Sequence, residues 1–262
     1  MTSRRRFLRG LSALTLTGCA SGSVGLMGDG CVQTGRYRGR WVYQESDRVV
    51  AYLEATGVEE YRRVLPASFA MPERPLVFVA VRDFYQMENG ATYLESEVSV
   101  AGLHRGQPGF YVVTMPVTDS DACAFGVMNY GYPKVVRRIT LERLSNRFVG
   151  VSYASGGRAP EFTLTLDGAR GTTGEEAREI LRLVAPMPSF TLHGGGVLRF
   201  GGLSRPIYEQ EQANPSVFKV LLGQPSLEFP HEPDNLLHRL AVERPLAGFW
   251  ARVRASYSIT PR

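Results

Sequence analysis

Lysine is rare in this chain. Of thirty basic residues, only Lys134 and Lys219 are lysines. The arginine bias reads as codon preference, yet it makes any lysine chemistry easy to locate. Lys134 closes the stretch Phe125-Gly126-Val127-Met128-Asn129-Tyr130-Gly131-Tyr132-Pro133-Lys134. The pattern predicts a helix from near Thr118 that ends before Gly131, a Gly-Tyr-Pro break, and a lysine at the start of a strand. Gly131 and Pro133 punctuate the backbone, so the turn would fix where Lys134 points. Tyr130, Tyr132, Val135 and Val136 surround it. Dehydration among such groups disfavours the ammonium, lowers its pKa and frees an amine to attack a carbonyl. The competing reading is a strand-end lysine that snorkels its charge to solvent, and periodicity alone favours that one. Lys219, between Phe218 and Val220, reads as an edge-strand surface charge.

The elements that must position Lys134 read as mostly β. Strand candidates are Leu76–Val81, Thr92–Val100, Phe110–Met115, Val135–Leu141, Arg147–Tyr153, Glu161–Leu166, Ser189–His193 and Phe249–Ile259, rich in Val, Tyr, Phe and Thr. Ser145-Asn146 and Gly156-Gly157 suit hairpin turns. Capping-box spacing at Thr56-Gly57-Val58-Glu59 predicts a helix stopped by Pro66, and Thr173 to Glu176 predicts another to about Val184. The fold class expected is mainly β (α+β): an antiparallel β-barrel or curved sheet with a few short helices.

On these residues the chain resembles the acetoacetate decarboxylase family. That family carries a Tyr/Phe-Pro-Lys motif after a helix, and its lysine forms a Schiff base, matching Tyr132-Pro133-Lys134. Its helix ending in Leu/Val-Pro resembles Glu59 to Pro66. Its Tyr-x-Glu resembles Tyr93-Leu94-Glu95, which implies an active-site role for Glu95. Pro230 to Leu236 and Phe249-Trp250 resemble its closing segment, so the likeness runs from about Arg48 to the C-terminus. Arg48 is the nearest match to the family's site arginine, one residue out of register. Two positions depart from the pattern. Val135 stands where classical members have a second lysine, and Ala80 stands where they have a strand-end acid.

The resemblance implies a Schiff-base lyase acting on small oxo acids, with decarboxylation of a 3-oxo acid such as acetoacetate through a Lys134 iminium. Glu95, raised in pKa by a partly dry pocket, would move the proton. Arg48 would orient the substrate carboxylate. Tyr130 and Tyr132 would contact substrate or simply pack. Glu97 alternates with Glu95 on one face, so both also read as solvated strand carboxylates. No cofactor or metal is expected. Gly194-Gly195-Gly196 lacks the residues of a phosphate loop, and His104, His193, His231 and His238 are scattered. Two alternatives stand beside decarboxylation: aldolase-dehydratase chemistry on oxo acids, and a non-catalytic exported lipoprotein that binds a small apolar or oxo-acid ligand.

The N-terminus reads as an address. Arg4, Arg5 and Arg6 before a short apolar run resemble a twin-arginine export signal, and Leu16-Thr17-Gly18-Cys19 resembles a lipobox with Cys19 lipidated. Residues 1–18 are therefore expected to be a signal peptide, 19–40 a lipidated flexible tether and 41–262 the domain. The location implied is the bacterial periplasm or cell envelope, with the lipid as membrane partner. Residues 1–18 hold four of the five excess positive charges and no acid. The remainder is nearly balanced, which excludes a nucleic-acid footprint. Composition is globular, at 44% hydrophobic and 21% charged, and no run of 18 apolar residues is present. Cys31 and Cys123 are expected as free or buried thiols, although an exported compartment permits a bridge. Self-association into a homo-oligomer fits the family.

Overall fold

The computed structural model describes residues 30–172, 175–176, 188–200 and 218–258. Cys19, Arg4, Arg5, and most of the helix expected after Thr173, lie outside them. The described elements are β1 (Val42–Ala55), α1 (Val58–Val64), β2 (Phe69–Ala70), β3 (Leu76–Met87), β4 (Tyr93–His104), β5 (Gln107–Thr114), α2 (Ser120–Tyr130), β6 (Ile139–Leu144), β7 (Arg147–Tyr153), β8 (Pro160–Gly171), β9 (Ser189–His193), β10 (Gly196–Phe200), β11 (Phe218–Glu228), α3 (Leu236–Arg239) and β12 (Val242–Ser258). The strands form one sheet in the order β10-β9-β5-β4-β3-β1-β12-β11-β8-β7-β6, with β2 on β4. Every pairing is antiparallel except β5 with β9. No ladder among the described residues joins β6 to β10, so the architecture is a curved open sheet, as the strand-rich sequence predicts.

The curl buries the main core. Val49, Val79, Val81, Val98 and Val100 on β1, β3 and β4 meet Phe148, Phe162, Leu164 and Trp250 from the returning half. The layers come close at Gly150, where a Cβ would lie 2.7 Å from the Val81 side chain. Alternation along each strand turns the neighbouring residues to the opposite face. There Val50, Tyr52, Ala80, Ala101, Phe249 and Ala251 form a second cluster, and the polar residues described below share that face. Tyr61 of α1 is fully buried, and its hydroxyl donates to the Leu76 and Ala101 carbonyls at 2.7 and 2.8 Å.

Several local expectations are corrected. Thr56 does not cap α1; its hydroxyl turns instead to the Ala241 carbonyl at 3.1 Å, and Gly57 occupies the cap position. The helix expected from near Thr118 is present as α2, with Asp119 as its cap, accepting from the Ala122 amide at 2.8 Å. Lys134 does not open a strand: β6 begins only at Ile139, and Val136 makes a single bridge to Val117. Cys31 and Cys123 are joined in a disulfide spanning 92 residues, so neither is a free thiol. The end of the expected tether is therefore docked. Cys31 is buried, Trp41 stacks on Phe125 of α2, and the Thr34 hydroxyl and the Thr34 and Gly35 amides donate to Asp121.

Candidate active site

Helix α2 ends in a tight reversal. Gly131 takes φ +62°, and its amide donates to the Val127 carbonyl at 3.1 Å. A Cβ there would meet the Leu192 carbonyl oxygen at 2.3 Å, so only glycine fits. The chain after it is held at several points. Tyr132 donates to the Gly126 carbonyl, Met115 to the Pro133 carbonyl and Val117 to the Val135 carbonyl. Cys31 Sγ lies 3.6 Å from the Lys134 carbonyl oxygen. A disulfide sulfur carries no proton, so that contact is packing. Val117 bridges both Val136 and Glu95, which brings the Lys134 loop onto β4.

Lys134 is 5% exposed, and its Nζ donates to Glu95 Oε2 at 2.6 Å. The stem runs along α2 at Gly126, where a Cβ would fall 2.6 Å from both Cδ and Cε. The rings of Tyr93 and Tyr132 each lie 5.6 Å from Nζ. The snorkelling alternative is excluded by this burial. So is the solvated reading of the two glutamates, which are 5% and 3% exposed.

Arg82 fell outside the strand read as ending at Val81, and so was missed. In the structure β3 runs on to Met87, and Arg82 sits directly opposite Glu95. It donates to Glu95 Oε1 at 2.9 Å and lies 2.5 Å from Glu97 Oε2. The Ser99 hydroxyl donates to the other Glu97 oxygen. A sequence signal existed: Phe78, Ala80, Arg82 and Phe84 alternate with Val77, Val79 and Val81, which places Arg82 on the site face. Two substitutions relative to the family pattern also resolve. Val135 is half-buried and brings no cation, but Arg82 does. Ala80 brings no acid, but its cross-strand partner is Glu97.

Burial alone would raise the Glu95 pKa. The charges and hydrogen bonds of Lys134 and Arg82 outweigh it and hold the carboxyl below the ordinary range. This corrects the expected raised pKa. Burial, helped by the fields of Glu95 and Glu97, pushes Tyr132 well above the usual phenol value, so its hydroxyl stays protonated.

Arg48 lies in register with Arg82 on β1. Its Nη2 donates to Ser46 Oγ at 3.2 Å, while its Nε is buried without a hydrogen-bond partner. An orphan buried donor of this kind suits an anionic ligand. Tyr130 and Tyr132 both pack on Phe200, and Tyr130 also on Phe125, so the two tyrosines belong to one aromatic wall. The Tyr130 carbonyl accepts from the Thr191 hydroxyl, which ties this wall to β9. Lys219 is exposed, as expected, but it lies on β11, which sits between β12 and β8 and is not the edge strand expected. Among the described residues no group of His, Cys, Asp and Glu could hold a metal ion. No described helix is long and apolar enough to cross a membrane.

Comparison with solved structures places this arrangement in context. A chain from a structural study of acetoacetate decarboxylase superposes with a TM-score of 0.66 at 16% identity, covering 88% of this chain and 93% of that one. The acetoacetate decarboxylase of Legionella pneumophila gives 0.66 at 14% identity, covering 96% and 98%. The enduracididine biosynthesis enzyme MppR, complexed with the condensation product of pyruvate and imidazole 4-carboxaldehyde, gives 0.57 at 10% identity, covering 85% and 90%. These likenesses establish the fold. No curated protein sequence matches. The family model described as acetoacetate decarboxylase matches residues 49–259, most of the chain. On that match, the chain belongs to the acetoacetate decarboxylase family.

Proposed function

We propose that this protein is a Schiff-base-forming lyase that decarboxylates a small 3-oxo acid such as acetoacetate at Lys134. The observation that carries the reading is a buried lysine with its Nζ 2.6 Å from a buried carboxylate, on a loop pinned at several points. Nζ gives up one proton, its lone pair attacks the ketone carbon, and that proton departs with the former carbonyl oxygen as water, so a protonated iminium remains. The ammonium and the iminium carry the same charge, so Glu95 is matched before and after. The bond to the carboxylate carbon then breaks. Its electron pair moves into the iminium, releasing carbon dioxide and leaving an enamine. A proton from water reaches the enamine carbon, and hydrolysis frees the ketone. Arg48, with its unsatisfied Nε, holds the substrate carboxylate. The iminium supplies the electron sink, so no cofactor enters this scheme.

Incubation with acetoacetate and borohydride tests the reading. The expected result is a reduced adduct on Lys134, found by peptide mass spectrometry, absent from Lys134→Ala, with carbon dioxide released when borohydride is omitted. Binding without adduct or gas would leave a ligand-binding role and overturn the lyase. A second Schiff-base reading is favoured by Val135, which removes the adjacent second cation of classical decarboxylases. In it, the enamine forms by loss of a proton and condenses with an aldehyde, as the product bound to MppR suggests. Adduct formation with pyruvate, and aldehyde consumption without gas, would select that reading.

We also propose that the protein is exported and lipid-anchored at Cys19. The Cys31–Cys123 disulfide supports this reading, because such bridges persist in oxidising compartments. Labelled palmitate incorporation lost in Cys19→Ala, and secretion blocked by Arg4→Lys with Arg5→Lys, are the outcomes expected. Incorporation unchanged in Cys19→Ala would refute the anchor.

A further inference from the structure

Both Glu95 oxygens carry a cationic donor: Lys134 Nζ on Oε2 and Arg82 Nη1 on Oε1. Arg82 reaches on to Glu97, so one guanidinium separates two buried carboxylates that alternate along β4. The side chains of Arg82, Glu95 and Glu97 are only 13%, 7% and 4% exposed, so solvent screens these charges little. The Schiff-base cycle leaves Lys134 uncharged during the enamine interval. A buried carboxylate whose one counter-charge vanishes takes up a proton. Arg82 keeps its charge throughout, because a guanidinium does not deprotonate in proteins.

We propose that Arg82 is a positioning residue that keeps Glu95 a fixed anion through the whole cycle, so that Glu95 serves as counter-ion to the nitrogen and not as a proton carrier. The proposal rests on the Schiff-base reading for its catalytic meaning. Its electrostatic content is a property of the unliganded protein. The low carboxyl pKa noted above agrees with it. The proton for the enamine carbon must then come from water or a hydroxyl.

The test is infrared titration of the protein, with the Glu95 carboxylic-acid band assigned by its loss in Glu95→Gln. In the parent the band is still absent at the pH where a free glutamic acid is half-protonated, about 4.3. In Arg82→Gln with Glu97→Gln, which removes the cation without stranding a second buried anion, the band appears at least about one unit higher. Arg82→Lys restores the parent titration. Borohydride trapping in the same set follows the band, its yield falling about tenfold on the acid side in the double variant only. A Glu95 acid band already present in the parent at pH 6 would overturn the proposal, whether or not the double variant folds. Titrations that superimpose in parent and double variant would overturn it too. Failure of the parent to trap any oxo acid strikes the Schiff-base reading, while the infrared result still decides what Arg82 does.

Discussion

Gly126→Ala is the sharpest probe of how the fold aims Lys134. The new Cβ would sit 2.6 Å from Cδ and Cε of the lysine and 3.4 Å from Nζ. Carbon atoms pack at about 3.5–4.0 Å, so the lysine stem must shift by about 1 Å. The shift falls on a hydrogen bond of 2.6 Å between Nζ and Glu95. A displacement of that size costs about 100-fold in reaction rate. Stability behaves differently. Alanine within a helix gains about 1 kcal/mol over glycine, whereas overpacking costs about 1–3 kcal/mol. The net loss is therefore about 0–2 kcal/mol, a few degrees in Tm for a domain of this size. The assay pairs borohydride labelling of Lys134 with a thermal melt. Labelling should drop about two orders of magnitude while the melt falls by no more than a few degrees. Parent-level labelling in a folded Gly126→Ala protein would refute the idea that α2 holds the stem.

Further outcomes concern charge, cross-linking and packing. Folding holds the Glu95 carboxyl below its unfolded value, so its contribution to stability is present above about pH 4.5 and disappears as pH falls through the folded value. Melts at successive pH values should show this acid loss in the parent and not in Glu95→Gln. At neutral pH, Glu95→Gln should itself cost about 3–5 kcal/mol in urea unfolding, since it breaks the buried ion pair of Lys134 with Glu95. Replacing both Cys31 and Cys123 by serine opens a loop of 92 residues; chain entropy sets the loss at about 4–5 kcal/mol, read by denaturant titration. The same change should slow Lys134 labelling, because Cys31 packs on the Lys134 carbonyl. Tyr61→Phe removes a hydroxyl shared by two carbonyls and should cost about 1–3 kcal/mol by urea unfolding, without altering labelling.

Short-range signals made much of the fold legible. Arg147–Tyr153 and Ser189–His193 form strands over the predicted spans, and Gly131 stops α2 where its backbone demands glycine. β1, β2 and β10 are absent from the strand candidates, and β11 enters only through the edge-strand reading of Lys219. β1 carries Gln44, Glu45, Ser46, Asp47 and Arg48 in succession, which hides the alternation of a strand. At the site, the Tyr-Pro-Lys and Tyr-x-Glu motifs pointed to Lys134 and Glu95. Arg82 was hidden because strand length sets its place, and strand ends are set by tertiary pairing. The Glu95 pKa was read with the wrong sign for the same reason: burial is visible in an apolar sequence context, but a cation from a neighbouring strand is not. The disulfide too depends on a contact across 92 residues that no local pattern encodes.

The alignment of Arg48, Arg82 and Glu95 across three strands has a consequence for folding fidelity. On β3 the residues between the site positions are Val77, Val79 and Val81, all fully buried in the main core. A slip of one residue would turn Arg82 into that core and point valines at the lysine. Such a slip strands a charge in an apolar layer, at a cost of several kcal/mol. The valine layer thus penalises any mispaired register of the charged row. Selection on the packing side of the sheet therefore guards the chemical side, although no core valine need touch a substrate.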